Sequence, residues 1–131
     1  MFAVGPGPVY ALADVGETSA RLHIPAGSRH GRWLYVSQKW IGGPQYQGPI
    51  LIRARRLSGA SSVQFLFSTS TVAEEPTVDL WFPAGGPAAA SGWRAWGVSA
   101  LVERPGCYVY QVDGLSFSET IVLSLDVQEP R

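Results

Sequence analysis

The side chains with the widest chemical repertoire are one cysteine, Cys107, and two histidines, His23 and His30. A blue-copper centre needs two histidines, a cysteine and usually a methionine. Both histidines lie far upstream of Cys107 and the only methionine is Met1, which argues against copper. We expect both histidines to be surface residues. A cysteine–histidine nucleophile pair is formally available. A lone cysteine is more commonly an inert core residue, and we expect Cys107 to be a small buried residue at the start of the penultimate strand.

The acidic residues and the glycines also lack the arrangement that catalysis or ligand binding requires. Glu74 and Glu75 are adjacent in a loop and point apart, whereas carboxylates that act as an acid–base pair must share one cleft. Asp113 belongs to a turn, and no calcium-loop or phosphate-loop pattern occurs. The sequence therefore predicts no enzyme, no metal site and no cofactor.

Tryptophan is the residue type with most functional promise, and the chain has five of them. Most are expected in the core, where aromatic rings bury large areas. Trp81 is the exception by pattern, because it falls with Asp79 on the outward face of its strand. Trp93, Arg94 and Trp96 stand where a loop enters a strand, and exposed tryptophan beside arginine is typical of binding surfaces. We therefore predict binding at Trp81, Trp93, Arg94 and Trp96.

Nearly the whole chain alternates apolar and polar residues, as strands with one buried face do. Turn-forming glycines and prolines, fifteen and ten in number, separate these segments. The predicted strands cover residues 20–24, 33–40, 50–55, 63–68, 77–82, 95–102, 107–112 and 117–127. Phe67 and Val78 are among the side chains that the alternation predicts to face the core. The stretch 87–91 predicts a loop with one helical turn, and polar loops are expected at 58–62 and 68–75.

The clearest signal for the fold lies in the C-terminal part of the chain. Asp113-Gly114 separates two strongly alternating segments, which predicts a hairpin with a tight turn. Eight or nine short strands in a single domain, residues 1–131, favour an all-β fold of two packed antiparallel sheets, namely an immunoglobulin-like sandwich. A closed barrel is the alternative.

Composition restricts the classes of partner. Ten basic residues balance ten acidic ones, whereas nucleic-acid-binding proteins usually carry a basic excess. The nearest basic group, formed by Arg53, Arg55 and Arg56, is interpreted as the solvated face of a strand. No run approaches the roughly 20 apolar residues of a membrane-spanning helix, and residues 1–8 lack the basic and apolar regions of a signal peptide. We expect no nucleic acid and no membrane span.

Three segments resemble one group of proteins: residues 105–119 (PGCYVYQVDGLSFSE), 7–10 (GPVY) and 48–53 (GPILIR). Of the three, only the segment 105–119 is specific to this group. The group consists of uncharacterised exported bacterial proteins, including predicted lipoproteins, with an immunoglobulin-like sandwich. The resemblance implies an extracytoplasmic domain, secreted or at the cell surface. It brings no activity and no catalytic residues.

Three functions are open at this point. The first is a non-enzymatic interaction or structural module, such as an accessory subunit of a surface assembly, that binds a protein partner through Trp81 or the Trp93–Trp96 loop. The second is a carbohydrate-binding module that stacks the same tryptophans on a polysaccharide. The third, an enzyme of unknown type, has the weakest support because acids, bases and nucleophiles are so few.

Overall fold

The structure is a computed structural model that describes residues 2–14, 20–59, 63–67, 76–86 and 91–127. These residues form eleven strands and no helix, which confirms the all-β prediction. Most of the predicted helical turn at 87–91 and of the predicted loops at 58–62 and 68–75 lies outside the described residues. In chain order the strands are β1 (Phe2–Val4), β2 (Val9–Ala13), β3 (Arg21–Ile24), β4 (Arg29–His30), β5 (Trp33–Gly42), β6 (Ile50–Arg56), β7 (Gln64–Phe67), β8 (Leu80–Phe82), β9 (Arg94–Val102), β10 (Gly106–Asp113) and β11 (Ser118–Val127).

The strands form two sheets with a shared core. The six-stranded sheet has the order β1-β2-β5-β9-β7, with β4 also paired to β5, and the five-stranded sheet has the order β3-β11-β10-β6-β8. Alternating apolar side chains of both sheets meet between them, and Trp40, Phe65, Tyr108 and Tyr110 are among the largest fully buried ones. Two layers that enclose one core make a β-sandwich architecture.

The described strands outnumber the predicted eight or nine because short strands near the start of the chain carry little signal. β1, β2 and β4 have three, five and two residues. Val9, Ala11 and Ala13 of β2 do alternate into the core. Two of these three are alanine, however, so the apolar contrast along β2 is weak, and β4 is too short to show any period.

One strand pair corrects the predicted antiparallel topology. β3 pairs with β11 in parallel, with Leu22 opposite Leu125 and Ile24 opposite Val127. The other strand pairs among the described residues are antiparallel. Alternation predicts which side chains are buried, but it carries no information on the direction of the neighbouring strand. The sequence could not therefore reveal this pairing.

The C-terminal hairpin is confirmed, and its loop is longer than predicted. β10 and β11 pair as far as Asp113 and Ser118, so residues 114–117 form the connection in place of a two-residue turn. The ring of Phe117 contacts the ring of Tyr46 edge-on, with centroids 4.9 Å apart. This contact, which comes from a distant part of the chain, holds Phe117 in the loop where the sequence predicted the start of a strand.

The segment 77–82 passes from one sheet to the other. It starts in a bridge between Thr77 and Phe65 of the six-stranded sheet and ends as β8, which pairs with β6 of the five-stranded sheet. Val78 was predicted to face the core, but it lies at the crossing and is 49% exposed. The crossing makes β8 an edge strand, with Trp81 on its outer side.

Two other residues that were predicted to be buried are exposed. Cys107 lies opposite Ser124 in the hairpin and faces solvent, because its neighbour Tyr108 occupies the inward position. Phe67 is the last residue of β7 and is 37% exposed. The exposure of Cys107 follows the alternation of β10, in which Tyr108, Tyr110 and Val112 point inward, so only Phe67 departs from its alternating pattern.

Candidate functional site

Trp81 is the most exposed of the four residues predicted to bind a partner. Its side chain is 52% exposed in the middle of β8. It faces outward because Leu80 and Phe82 point into the core, which confirms the predicted orientation. Trp81 lies opposite Leu51 of β6. Arg53, two residues further along β6, is therefore its diagonal neighbour at about 7–8 Å.

Arg94 and Trp96 lie inside the sandwich, so the prediction that they are exposed is wrong. Arg94 is 1% and Trp96 7% exposed. Both occupy inward positions of β9, where the Trp96 ring stacks on that of Phe82 with centroids 4.3 Å apart. The guanidinium carbon of Arg94 is 4.9 Å from the Trp96 centroid. This cluster connects the two sheets and is buried between them.

Arg94 donates hydrogen bonds to the backbone of two loops. Its Nη1 bonds the carbonyl oxygens of Gly48 at 3.0 Å and Gly85 at 2.9 Å, and its Nη2 bonds that of Tyr46 at 3.0 Å. Burial lowers the pKa of the Arg94 guanidinium, and the nearby Tyr46 opposes this shift. Gly48 precedes β6 and Gly85 follows β8, so Arg94 is a positioning residue for the two strands around Trp81.

Trp93 lies on the other side of the molecule from Trp81. It precedes the buried Arg94 and is half-buried on the outer side of the six-stranded sheet. Its ring centroid is 6.1 Å from that of Tyr10, and the two ring planes make an angle of 34°. Because the two sheets of a sandwich are about 10 Å apart, Trp81 and Trp93 do not contribute to one small-ligand site.

A group of outward residues on the five-stranded sheet extends from Trp81 at the edge across β6, β10 and β11, and we name it the Trp81 face. It is defined by six residues: Trp81, Leu51, Arg53, Arg55, Val109 and Val122. The sequence interpretation treated the two arginines as ordinary solvated surface and so missed them as part of a site. The signal that could have identified them is their two-residue spacing on the strand predicted at residues 50–55.

A shallow depression opens on the Trp81 face. Its volume is about 550 Å³, and its lining includes Arg53, Arg55, Val109, Gln111 and Thr120. Arg55 lies opposite Val109, and Arg53 lies opposite Gln111. Across the sheet, Arg55 therefore has an apolar neighbour and Arg53 has a polar one. Such a surface suits a ligand that carries both carboxylates and apolar groups.

The two arginines differ in their ionic contacts. Arg53 Nη2 is 3.6 Å from Asp113 Oδ2. The Asp113 carboxylate already accepts hydrogen bonds from Ser118 Oγ at 2.7 Å and Gln111 Nε2 at 2.9 Å, and these bonds lower its pKa. Within the described residues Arg55 has no carboxylate within 4.0 Å. The Trp81 face thus has a positive charge without a close counter-ion in the described part of the chain.

The histidines do not contribute to a metal centre in the described residues, which contain no group of three or more potential ligands. His23 and His30 are both exposed, as predicted. His23 Nδ1 lies 3.4 Å from Asp14 Oδ2, and the ring of His30 contacts the ring of Tyr35 edge-on at 5.0 Å. Each histidine has its own surface neighbour, and the two do not converge.

Comparison with other proteins assigns no family to the chain. No protein-family model, curated protein or solved structure matches it. Over the described ranges, no helix has the length and apolar character needed to cross a membrane. The geometry and charge of the Trp81 face are accordingly the features that bear on function.

Proposed function

We propose that this protein is a non-enzymatic interaction module that binds a protein partner through the Trp81 face. The observation that carries the proposal is the 52% exposure of Trp81 in the middle of an edge strand. Burial of an indole ring by a partner removes a large apolar area from water. Tryptophan is also enriched among the few residues that dominate the binding energy of protein interfaces.

Apolar neighbours extend this surface beyond a single residue. Leu51 lies opposite Trp81, and Val109 lies opposite Val122 on the adjoining strands. Val122 is 46% exposed, although it belongs to the middle of a long strand. The polar row of Arg53 and Gln111 lies between these two apolar pairs, so the Trp81 face combines exposed apolar groups with positive charge. Arginine and aromatic residues are both enriched in protein interfaces.

β8, which carries Trp81, and the neighbouring β6 are also held in place by surrounding residues. Arg94 links the loop before β6 to the loop after β8 through its backbone hydrogen bonds. Phe82, the neighbour of Trp81, is fully buried against Trp96. A surface held in this way loses little conformational freedom when a partner binds, which favours affinity.

The proposal includes an extracytoplasmic location and an immunoglobulin-like arrangement of the sandwich. Both rest on the resemblance of residues 105–119 to exported bacterial proteins. In that setting the protein serves as an accessory subunit or structural part of a surface assembly. Recovery of the protein in the secreted or cell-surface fraction of its native source would support this location, and recovery in the cytoplasmic fraction would contradict it.

A carbohydrate-binding module is the alternative function. A platform for sugar rings presents several coplanar aromatic side chains on one face. Within the described residues the Trp81 face has one aromatic ring, and the rings of Trp93 and Tyr10 on the other sheet are 34° from coplanar. These observations favour a protein partner over a polysaccharide.

Affinity capture from the native source tests the proposal with three immobilised proteins: wild type, Trp81→Ala and Phe2→Ala. Phe2 is the matched control because it is 51% exposed and belongs to the other sheet. We expect wild type and Phe2→Ala to retain the same discrete protein and Trp81→Ala to lose it. Equal retention by all three proteins would refute the proposal. In a parallel assay on insoluble polysaccharides, Trp81-dependent retention would favour the carbohydrate-binding module.

A further inference from the structure

We propose that the Trp81 face recognises an acidic segment of its protein partner, with Arg53 and Arg55 binding alternate carboxylates of an extended chain. This inference rests on the proposed function and specifies the chemistry of the partner. Charge complementarity carries it, because the depression on the Trp81 face is lined by two exposed arginines.

The spacing of the two arginines matches that of an extended peptide. Arg53 and Arg55 are exposed on the outer side of β6, and Ile52, which precedes them, is buried on the inner side. Residues two apart on one face of a strand are separated by about 7 Å. Alternate side chains of an extended partner segment have the same separation, so acidic residues at every second position meet both arginines. Each guanidinium can hold a carboxylate through two parallel hydrogen bonds.

The electrostatic surroundings leave this positive charge available to a partner. Arg53 has a distant contact of 3.6 Å with Asp113, whose carboxylate is held by two neighbouring side chains. For Arg55, the described part of the chain supplies no carboxylate within 4.0 Å. Val109, directly opposite Arg55, is apolar. It excludes some water from the depression, and an ion pair is stronger where water is excluded.

The positive charge of this site is local, because the chain as a whole is neutral with ten basic and ten acidic residues. Ion pairs at an exposed face are weakened by salt, so the arginines contribute more to specificity for the partner than to binding affinity. Trp81, the diagonal neighbour of Arg53, supplies apolar contact that salt does not screen. The matching partner segment therefore combines alternating acidic residues with an adjacent apolar side chain.

Retention on immobilised poly-L-glutamate tests the recognition, with polygalacturonate as a carboxylate-bearing polysaccharide for comparison. The test variant is Arg53→Gln/Arg55→Gln. Its matched control, Lys39→Gln/Arg104→Gln, removes the same charge from two exposed positions outside the Trp81 face. We expect wild type and the control to be retained on poly-L-glutamate. The test variant should bind roughly tenfold more weakly, as the loss of two exposed ion pairs implies.

Two results on these matrices would overturn the inference. Equal weakening of both double variants would show that binding follows net charge alone. Stronger retention on polygalacturonate than on poly-L-glutamate, with the same dependence on Arg53 and Arg55, would identify an acidic polysaccharide as the ligand. Unchanged urea midpoints for both double variants would confirm that neither result comes from unfolding.

The partner captured in the preceding experiment provides the second measurement. If the inference is correct, Arg53→Gln/Arg55→Gln loses the same protein that Trp81→Ala loses. A partner that Trp81→Ala releases but the arginine variant retains would refute the acidic segment and leave the proposed function intact. Arginine-dependent binding to poly-L-glutamate without any Trp81-dependent partner would instead refute the proposed function.

Discussion

The ring of Trp96 lies parallel to the ring of Phe82, with 4.3 Å between their centroids and 4° between their planes. Trp96 belongs to the six-stranded sheet and Phe82 to the five-stranded sheet, so the stack joins the two layers of the sandwich. The guanidinium group of Arg94, 4.9 Å from the Trp96 centroid, adds attraction between a cation and an aromatic ring. Phe82 is adjacent to Trp81, so this stack also fixes the strand that presents the exposed tryptophan.

Replacement of the two tryptophans by alanine should separate their roles. Trp96→Ala removes a buried ring from the stack and should lower the free energy of unfolding by about 3–5 kcal/mol. Trp81→Ala should lower it by about 1 kcal/mol or less, because half of that side chain is already in water. Urea denaturation followed by circular dichroism measures both changes. Similar losses for the two variants would contradict the assignment of Trp96 to the core and Trp81 to the surface.

Arg94 should contribute to stability rather than directly to binding. Arg94→Met keeps much of the side-chain volume but removes the donors to three backbone carbonyls, and it should cost about 3 kcal/mol of unfolding free energy. Arg55→Met, on the exposed face, is the matched control and should change stability by roughly 0.5 kcal/mol or less. The comparison requires denaturation curves for both variants. An Arg94→Met protein as stable as Arg55→Met would refute the positioning role.

Much of the fold could be predicted from local alternation. The pattern around Leu80 and Phe82 predicted the outward orientation of Trp81, and the alternation of the last two strands predicted their hairpin. The parallel pairing of β3 with β11 could not be predicted, since strand direction depends on how distant segments meet. The exposure of Val78 has the same cause, because its segment crosses between sheets.

The candidate site was harder to predict because burial of a charge depends on distant partners. Arg94 stands between two aromatic residues in the sequence, which is a common surface pattern. Its guanidinium is buried because loops around Tyr46 and Gly85 supply carbonyl oxygens to it, and no local pattern encodes those contacts. Conversely, Arg53 and Arg55 have the sequence pattern of an ordinary solvated strand face. Only the pairing of β6 with β8, which places Trp81 diagonal to Arg53, makes them part of a candidate site.

A buried hydrogen bond between Gln38 and Tyr110 offers a test of how the sandwich core tolerates polar groups. The Gln38 Nε2 donates to the hydroxyl of Tyr110 across the two sheets, and both side chains are buried. Tyr110→Phe removes this acceptor and leaves a buried donor unpaired, which should cost about 1–3 kcal/mol. Gln38→Met/Tyr110→Phe should cost less than the sum of the single changes, by about 1 kcal/mol. Strict additivity across the four proteins, measured by urea denaturation, would contradict this coupling.

Glu119 introduces a carboxyl group into the interior where β11 meets the start of the chain. It is 7% exposed, and its Oε1 accepts a hydrogen bond from the backbone N–H of Val9 at 3.3 Å. Within the described residues its Oε2 is buried without a hydrogen-bond partner. Burial raises the pKa of Glu119, and the hydrogen bond from the backbone N–H of Val9 only partly offsets it.

The raised pKa of Glu119 should make stability depend on pH. In the unfolded chain the carboxyl group titrates near 4.5, so between that pH and the higher pKa of the folded protein the folded chain binds more protons. The unfolding free energy should therefore fall as pH rises through this window and level off above the folded pKa. Glu119→Gln keeps the acceptor for Val9 but cannot ionise, so wild type should lose stability relative to this variant over the same window. Urea midpoints of both proteins at successive pH values measure the difference. A difference that stays constant with pH, or that shifts in favour of wild type as pH rises, would show that the Glu119 carboxylate is not penalised by burial.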